Sequence, residues 1–294
     1  MAKKGREARI TRTIAKIRGE KLSEALRRRA ASRPDDADGG RSASTWKKRK
    51  ARARARVDAR GTAGAPHGYD GSQKTLLVGD GNLSFGLALV TLFGGDGSGV
   101  VATTALGRGA SAAAHGTAFE DTVEALEASG ASVAYGVECE SLASEGARRA
   151  LRERIGGGSF DRVTFNFPDA GCGRVGELSV RAQRALLTSY FENASKVLKS
   201  SGEIRVTLRT SAPYSGWNVE ALAQKAGLAF KARVEFDASE FPGYEYSRTI
   251  DEEDAHNMDG EDEDDAAWET EEGPGEDAAT YVFVRASAPP ASAK

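Results

Sequence analysis

The chain of 294 residues carries 41 Lys and Arg against 43 Asp and Glu, and its formal net charge of −2 hides two opposed blocks. Residues 1–60 carry a net charge of +14, whereas residues 251–277 hold 15 acidic residues and no Lys or Arg. The two cysteines, Cys139 and Cys172, are too few for a disulfide framework or a metal site, and they fit a reducing compartment. No apolar run approaches the roughly 18 residues of a membrane span, and the basic N-terminus lacks the apolar core of a secretion signal. The composition therefore excludes a disulfide-rich secreted scaffold and a membrane-spanning protein.

Residues 1–72 form the first predicted unit, a disordered basic arm and linker. Such a segment buries too little apolar surface to offset the entropy lost on ordering. The run WKKRKARARAR at residues 46–56 indicates a nuclear or nucleolar address and a nucleic-acid partner, here RNA. The Arg-rich, Ser-containing start leaves an organelle transit peptide open as an alternative.

Residues 73–288 form the second predicted unit, one α/β domain in which apolar strands alternate with amphipathic helices. The predicted strands are residues 75–79, 100–106, 132–137, 160–166, 202–208, 230–236 and 280–285. The predicted helices are residues 82–93, 119–128, 143–155, 180–198 and 219–226. This alternation predicts a doubly wound, mostly parallel, seven-stranded Rossmann-like sheet with right-handed crossovers.

No helix is predicted between the last two strands, so they can pair antiparallel at one edge of the sheet. An antiparallel edge strand after five strand–helix units is typical of the methyltransferase variant of this architecture. The acidic stretch at about 250–278 is expected to be a disordered insertion before the last strand, and residues 289–294 a disordered tail.

A glycine-containing loop follows the first predicted strand. It runs from Gly79 through Asp80, Gly81 and Asn82 to Ser84. Two glycines allow a tight turn and close approach of a ligand to the backbone. The dinucleotide pattern would need a third glycine where Ser84 stands, so the loop favours S-adenosylmethionine, which has no phosphate, over a dinucleotide. An ordinary strand–helix turn is the alternative.

A second polar loop follows the fourth predicted strand and comprises Asn166, Phe167, Pro168 and Asp169. Ligands of open α/β sheets bind at the carboxyl ends of the strands. An Asn side chain can accept a hydrogen bond from a ring N–H and donate one to a neighbouring carbonyl group. This loop therefore predicts recognition of an imide or amine nitrogen, and a strand-terminating Pro with a turn-capping Asn is the alternative.

Other candidate ligand-binding residues stand near the ends of predicted strands or in loops. Glu138 follows the third strand and could accept a hydrogen bond from an adenine amino group. Arg209, Tyr214, Tyr244 and Arg248 could stack on an unpaired base or hold a phosphate. For Trp217 we favour packing against the following helix over base stacking.

Five runs in this order and spacing resemble the eukaryotic 25S rRNA uridine-N3-methyltransferase family. They are LLVGDGNLSF, FDRVTFNFP, GEIRVTLRT, PYSGWNVEALA and FPGYEYSRT, and the resemblance covers residues 74–249 plus the last strand. It implies a Rossmann-like fold, S-adenosylmethionine as methyl donor, uridine N3 in large-subunit rRNA as acceptor, and a nucleolar setting.

The resemblance also implies roles for residues. Gly79, Asp80, Gly81 and Ser84 would line the methionine end of the cofactor, and residues 166–169 would face the target base. We also expect Asn82, Asn166, Phe167 and Pro168 to border the cofactor. We expect Asp169 to act as the base or to position a water molecule, and Asn166 to fix the imide edge. We expect the protein to act as a monomer on RNA.

Two alternatives remain from the sequence. Where the family has an acid after the second strand, this chain has residues 105–108 without one, which favours a non-catalytic RNA-binding assembly factor that keeps the fold. A methyltransferase of tRNA or of a small molecule is the other alternative, and the basic arm argues against the small molecule.

Overall fold

The computed structural model describes residues 66–171, 177–212, 214–246 and 277–286. The predicted basic arm up to residue 65, the acidic insertion up to residue 276 and the tail from residue 287 lie outside the described residues. Among the described residues, no helix is both long enough and apolar enough to cross a membrane.

The described residues form seven strands and six helices, with short 3₁₀ turns between them. The strands are β1 (Thr75–Val78), β2 (Val100–Thr103), β3 (Ser132–Ala134), β4 (Phe160–Asn166), β5 (Leu198–Arg209), β6 (Leu228–Glu235) and β7 (Ala278–Arg285). The helices are α1 (Ser84–Leu92), α2 (Arg108–His115), α3 (Thr117–Ser129), α4 (Glu145–Arg154), α5 (Glu177–Val197) and α6 (Val219–Lys225).

All seven strands belong to one sheet with the order β3-β2-β1-β4-β5-β7-β6. The first five strands in the chain pair in parallel, which confirms the predicted doubly wound, Rossmann-like arrangement. The expected antiparallel pairing is present at one edge, where β7 runs antiparallel to both of its neighbours. Within that pairing β6 is the outermost strand and β7 lies between β6 and β5.

Alternating side chains on the strands bury two different faces of the sheet. On one face, Leu76 and Val163 belong to a core that α4, α5 and α6 complete with Leu151, Leu187 and Leu222. On the opposite face, apolar residues of β1 and β2 pack beneath α1 and α3; this second core contains Leu77, Val100, Leu87, Val90, Phe119, Val123 and Leu126. Helices thus cover both faces, as a sheet with buried parallel strands requires.

The structure differs from the sequence prediction in several elements. Residues 66–72 were predicted to be disordered linker, but Tyr69 is buried against the sheet, and β2 ends at Thr103 instead of residue 106. Helix α2 was not predicted, because its run RGASAAAH lacks an apolar period and is helical mainly through the propensity of alanine. Strand β3 ends at Ala134 instead of residue 137, because Gly136, with φ of 64°, turns the chain to donate a hydrogen bond to the Leu106 carbonyl. Strand β5 begins at Leu198, directly after α5, four residues before its predicted start.

A cluster of charged side chains on β4, β5 and β6 lies beside the buried Tyr69. The Glu203 carboxylate forms ion pairs with Arg205 at 2.7 Å and Arg162 at 3.4 Å, and also with Lys231. Arg162 and Arg205 both lie over the ring of Tyr69, whose hydroxyl lies 3.1 Å from the hydroxyl of Thr164. These contacts fix the segment that precedes β1 against the middle of the sheet.

The Glu203 cluster predicts a measurable dependence of stability on acid. Burial alone would raise the pKa of Glu203, but the hydrogen bonds from Lys231 and Arg205 lower it to about 2, from 4.5. The ionised carboxylate therefore stabilises the fold fully above pH 4.5, and this stabilisation is lost as the pH falls towards 2. We expect Glu203→Gln to remove about 2–3 kcal/mol of this acid-dependent stability in urea titrations at pH 7 and pH 3.

The control for this prediction is Glu220→Gln on the exposed face of α6. The control variant should keep the wild-type loss of unfolding free energy between pH 7 and pH 3. An equal acid sensitivity of Glu203→Gln and the wild type would contradict the assigned role of the cluster.

Candidate functional site

The parallel part of the sheet changes direction between β1 and β4, and a cleft lies there. The chain winds outwards from β1 through β2 to β3, then returns to β4 on the other side of β1 and winds outwards again. The carboxyl ends of β1 and β4 therefore diverge into separate loops, and such switch points are where open α/β sheets bind ligands. The cleft is lined by Leu77, Val78, Gly79, Asp80, Gly81, Asn82, Phe85, Thr164, Asn166, Phe167, Asp169, Tyr244, Glu245 and Tyr246.

The first wall of the cleft is the turn between β1 and α1. Gly79 has φ of 63°, and a Cβ atom at this position would lie 2.6 Å from the ring of Phe165. Only glycine satisfies both constraints, because a side chain would be strained in this conformation and would collide with the ring. The turn therefore brings bare backbone to the edge of the cleft, as the sequence analysis expected for this glycine.

The carboxylate of Asp80 faces the N-terminus of α1. It accepts a hydrogen bond from the amide of Gly86 at 2.8 Å and a longer one from the amide of Phe85 at 3.4 Å. The helix has no side-chain cap at Leu83, so Asp80 satisfies amide groups that would otherwise lack partners. Asp80 therefore fixes the glycine turn in addition to lining the cleft.

The second wall of the cleft is the loop that follows β4, and a chain of hydroxyl groups orients its first residue. The Thr207 hydroxyl donates to Oδ1 of Asn166 at 2.6 Å and lies 2.9 Å from the Thr280 hydroxyl. Since a hydroxyl carries one proton, Thr207 must accept from Thr280. We refer to the hydroxyls of Thr207 and Thr280 as the relay. The relay holds Oδ1 of Asn166 towards β5, so that the NH₂ group of Asn166 is available to the cleft.

A buried glutamine holds the remainder of this second loop. Gln183 on α5 is 4% exposed, donates from Nε2 to the Pro168 carbonyl, and accepts from the Ala170 amide at 2.9 Å. Phe167, which directly precedes these anchors, has φ of 47°, a conformation that side chains rarely adopt and that packed surroundings must maintain. We refer to the two hydrogen bonds of Gln183 as the clamp. The clamp holds the residues on both sides of the exposed Asp169 and so sets its direction. The Asp169 carboxylate also accepts a hydrogen bond from the amide of Gly171.

A third segment, Tyr244–Tyr246, closes the cleft, and we refer to it as the strap. The Glu245 carbonyl accepts hydrogen bonds from Nδ2 of Asn82 at 3.0 Å and from Oγ of Ser84 at 2.9 Å. The Glu245 amide also lies 3.0 Å from the same Ser84 oxygen and donates to it. With the strap in this position the cleft has a volume of about 40 Å³, which accommodates about three water molecules.

Aromatic contacts anchor both ends of the strap. The ring of Tyr244 packs edge-on against Phe85 and Phe236, with centroids 5.4 and 5.9 Å apart, and the ring of Tyr246 packs edge-on against Phe167 at 5.3 Å. Burial and the neighbouring Asp80 carboxylate both raise the pKa of the Tyr244 phenol, which stays neutral at physiological pH. The strap therefore connects the turn after β1 with the loop after β4.

The structure brings most of the predicted site residues together, but not all. Ser84 is fully buried and bonds to Glu245 of the cleft lining, and Pro168 is also buried; neither residue lines the cleft itself. Glu138 does not end a strand; it is exposed, follows the shortened β3 by four residues and is not part of the cleft lining. Arg248 lies outside the described residues.

The predicted pair Arg209 and Tyr214 forms a separate group at the end of β5. The guanidinium carbon of Arg209 lies 5.7 Å from the centre of the Tyr214 ring, which in turn packs edge-on against the buried Trp217. Trp217 belongs to the same buried core as Val219 and Leu222 of α6, in line with the expected packing against the following helix. Arg209 and Tyr214 do not line the cleft.

Sequence reasoning missed three residues that shape the cleft: Thr207, Gln183 and Glu245. Gln183 carried a detectable signal, because it is a polar residue four positions before Leu187 and eight before Phe191, on the buried stripe of a predicted helix. Glu245 carried none, because its contribution comes from backbone atoms.

The strand order, with β7 antiparallel between β5 and β6, is that of the methyltransferase variant of the Rossmann-like fold. Residues 76–248 match the BMT5-like family, described as rRNA (uridine-N3-)-methyltransferase BTM5-like. The match covers more than half of the chain. The chain therefore belongs to this family. The resemblance inferred from the five sequence motifs is confirmed.

Several proteins are similar to this chain. The "Heavy metal-associated isoprenylated plant protein 41" of Arabidopsis thaliana is 35% identical over 182 residues, which are 61% of this chain and 34% of that protein. The "Uncharacterized protein At4g26485" of the same plant is 32% identical over 180 residues, covering 60% of this chain and 82% of that protein. The chain thus spans about a third of the first relative and most of the second.

A more distant relative has a named reaction. The "25S rRNA (uridine(2634)-N(3))-methyltransferase" of Saccharomyces cerevisiae is 24% identical over 139 residues, covering 36% of this chain and 41% of that protein. Among solved structures, the glycopeptide N-methyltransferase MtfA in complex with S-adenosylmethionine is 11% identical, with a TM-score of 0.40 over 86% of this chain and 99% of that chain.

The Gln183 clamp predicts a local and a global effect of one substitution. Gln183→Met keeps the length of the side chain but removes the hydrogen-bond donor to the carbonyl of the buried Pro168 and the acceptor of the Ala170 amide. We expect the free energy of unfolding to fall by about 2 kcal/mol or more. We also expect faster hydrogen exchange at the Ala170 amide, measured by mass spectrometry.

The matched control is Gln224→Met, the same chemical change at an exposed position of α6. It should change the free energy of unfolding by less than about 0.5 kcal/mol. Equal effects of the two substitutions, with unchanged exchange at Ala170, would show that Gln183 does not hold the loop.

Proposed function

We propose that the chain is an S-adenosylmethionine-dependent methyltransferase that transfers a methyl group to N3 of a uridine in large-subunit rRNA. The observation that carries this proposal is the meeting of two loops in one cleft, the glycine turn of Gly79–Ser84 and the polar loop of Asn166–Asp169. The first suits a methyl donor and the second suits a pyrimidine edge. Membership of the BMT5-like family supports the same reaction.

The residues of the first wall fit the polar end of S-adenosylmethionine. That end is an α-amino acid, which needs both hydrogen-bond donors and acceptors from its site. Asn82 and Ser84 present such groups, and the turn at Gly79 lets a ligand approach the backbone. The cofactor supplies a methyl group on a positively charged sulfur, and the protein supplies its position relative to the acceptor.

The second wall offers groups that suit the imide edge of uridine. The amide nitrogen of Asn166, directed by Thr207, can donate to a ring carbonyl oxygen. Uridine N3 carries a proton near neutral pH, so its lone pair becomes available only when that proton leaves. Asp169, exposed at the mouth of the cleft, is the candidate base for this proton. An accessible base is required, so we expect a loop nucleotide or a flipped nucleotide as target.

Substitutions in the second wall test the proposal. We expect Asp169→Asn to slow methyl transfer at least about 100-fold, since general bases typically contribute that much, and Asn166→Ala to slow it as well. The measurement is nucleoside mass spectrometry for N3-methyluridine after incubation of each variant with unmodified large-subunit rRNA and S-adenosylmethionine. Both variants should still bind S-adenosylmethionine, as measured by calorimetry.

The control is Asp96→Asn, which changes an exposed carboxylate. Asp96 precedes the amino-terminal end of β2, whereas the cleft lies at the carboxyl ends of β1 and β4. Its transfer rate should equal that of the wild type. Wild-type rates in Asp169→Asn and Asn166→Ala would remove both residues from the reaction, and absence of N3-methyluridine with the wild-type protein would overturn the proposed reaction itself.

We further propose that the basic arm adds sequence-independent affinity for RNA and directs the protein to the nucleolus or nucleus. Residues 1–60 carry a net charge of +14, enough to neutralise several phosphates. Neutralisation of about six phosphates gives a slope of about −4 for the logarithm of the binding constant against the logarithm of the salt concentration on single strands.

Deletion of residues 1–60 should therefore flatten the salt dependence of RNA binding. The measurement is fluorescence anisotropy with labelled single-stranded RNA between 50 and 200 mM salt, a range of about fourfold chosen to resolve the slope. Equal slopes for the full chain and the deletion variant would leave the arm with a targeting role alone.

A non-catalytic RNA-binding role is the second candidate function. The chain has no carboxylate at residues 105–108, after β2, and the hydroxyl of the preceding Thr104 is engaged with the Leu106 carbonyl at 2.6 Å. A site that lacks an acid at this place has fewer acceptors for a ligand with ribose hydroxyls. Calorimetry separates the two functions, because a scaffold has no need to bind S-adenosylmethionine.

A further inference from the structure

The strap makes an unusual set of contacts with the first wall of the cleft. Three hydrogen bonds join the backbone of a single residue, Glu245, to the side chains of Asn82 and Ser84. Its carbonyl accepts two of them and its amide donates the third. Asn82 and Ser84 are also the polar groups that the proposed function assigns to the amino-acid end of the cofactor.

The chemistry of these contacts matches that of a free amino acid. In a peptide residue, the amide donor and the carbonyl acceptor are attached to the same Cα atom. In an α-amino acid, the ammonium donor and the carboxylate acceptor are attached to one Cα atom in the same way. A site that binds the N–Cα–C unit of Glu245 through a donor and an acceptor therefore offers the same complement to the methionine portion of S-adenosylmethionine.

The size of the cleft supports the same view. Pockets for ligands of this size typically measure about 300–1,000 Å³. With the strap in position, the cleft measures about 40 Å³. The Ser84 hydroxyl is fully buried and bonded to Glu245, so a ligand can bond to it only when the strap leaves it.

From these observations we propose that the strap is an internal mimic of the cofactor, in which the Glu245 backbone occupies the amino-acid subsite until S-adenosylmethionine displaces it. The inference rests on the proposed function. Displacement would also separate Tyr246 from Phe167 at the second wall, where the target base is proposed to bind. Occupation of one wall is in this way coupled to the opening of the other.

The test compares Glu245→Pro with Glu245→Ala in the full-length chain. Both variants lose the Glu245 side chain, but only proline removes the backbone N–H that donates to Ser84. Calorimetry with S-adenosylhomocysteine should give a dissociation constant about 3- to 10-fold lower for Glu245→Pro than for Glu245→Ala, as expected for the loss of one competing hydrogen bond. Methylthioadenosine, which lacks the amino-acid end, should bind both variants equally.

Hydrogen exchange of the wild-type protein gives a second readout that does not depend on the folding of either variant. Addition of S-adenosylhomocysteine should accelerate exchange at the Glu245 amide, because displacement exposes this N–H to water. Slower exchange on ligand addition would overturn the inference, since the strap would then be part of the occupied site.

The remaining outcomes separate this inference from the proposed function. Equal affinities of the two variants for S-adenosylhomocysteine, or an equal gain with methylthioadenosine, would overturn the mimic alone. Failure of the wild type and of both variants to bind either ligand would overturn the cofactor assignment, and the mimic with it.

Discussion

The parallel pairing of β1 with β4 determines where the cleft lies. The register places Leu76 beside Val163 and Val78 beside Phe165, so the two strands end at the same level. Their loops must then begin side by side, and they diverge because α1 and α5 cover opposite faces of the sheet. A shift of one residue would move each side chain of β1 from one core to the other, since alternate residues of this strand belong to different cores, so the two cores that enclose the sheet also fix the geometry of the site.

Buried polar contacts then position the individual groups at this edge. Asp80 accepts hydrogen bonds from the first amides of α1. Gln183 bonds to a carbonyl and to an amide of the loop after β4, and the two hydroxyls of the relay orient Asn166. Each of these groups would be costly to bury without its partner, so each contact restricts the loops to one arrangement. The strained backbone of Phe167 depends on this restriction, because only well-packed surroundings maintain a residue in that conformation.

The sequence predicted the sheet, five of the helices and both loops of the cleft, because these features depend on local periodicity and on turn residues. Helix α2 escaped prediction since its alanines have high helix propensity but no apolar pattern. The position of Glu138 was expected from a strand that Gly136 in fact ends early. The contribution of Glu245 depends on contacts across 161 and 163 residues of chain, which no local pattern encodes.

The strap reflects a general conflict in sites that bind polar ligands. Groups such as Ser84 must be free for the ligand, yet a buried hydroxyl without a partner destabilises the free protein. An internal segment that offers the same donor and acceptor resolves this conflict, because it satisfies Ser84 before the ligand arrives. The consequence is a lower apparent affinity, reduced by the fraction of molecules in which the strap is open. Mutations that weaken the strap therefore trade stability of the free protein against affinity for the ligand, and the two quantities should change in opposite directions at this one segment.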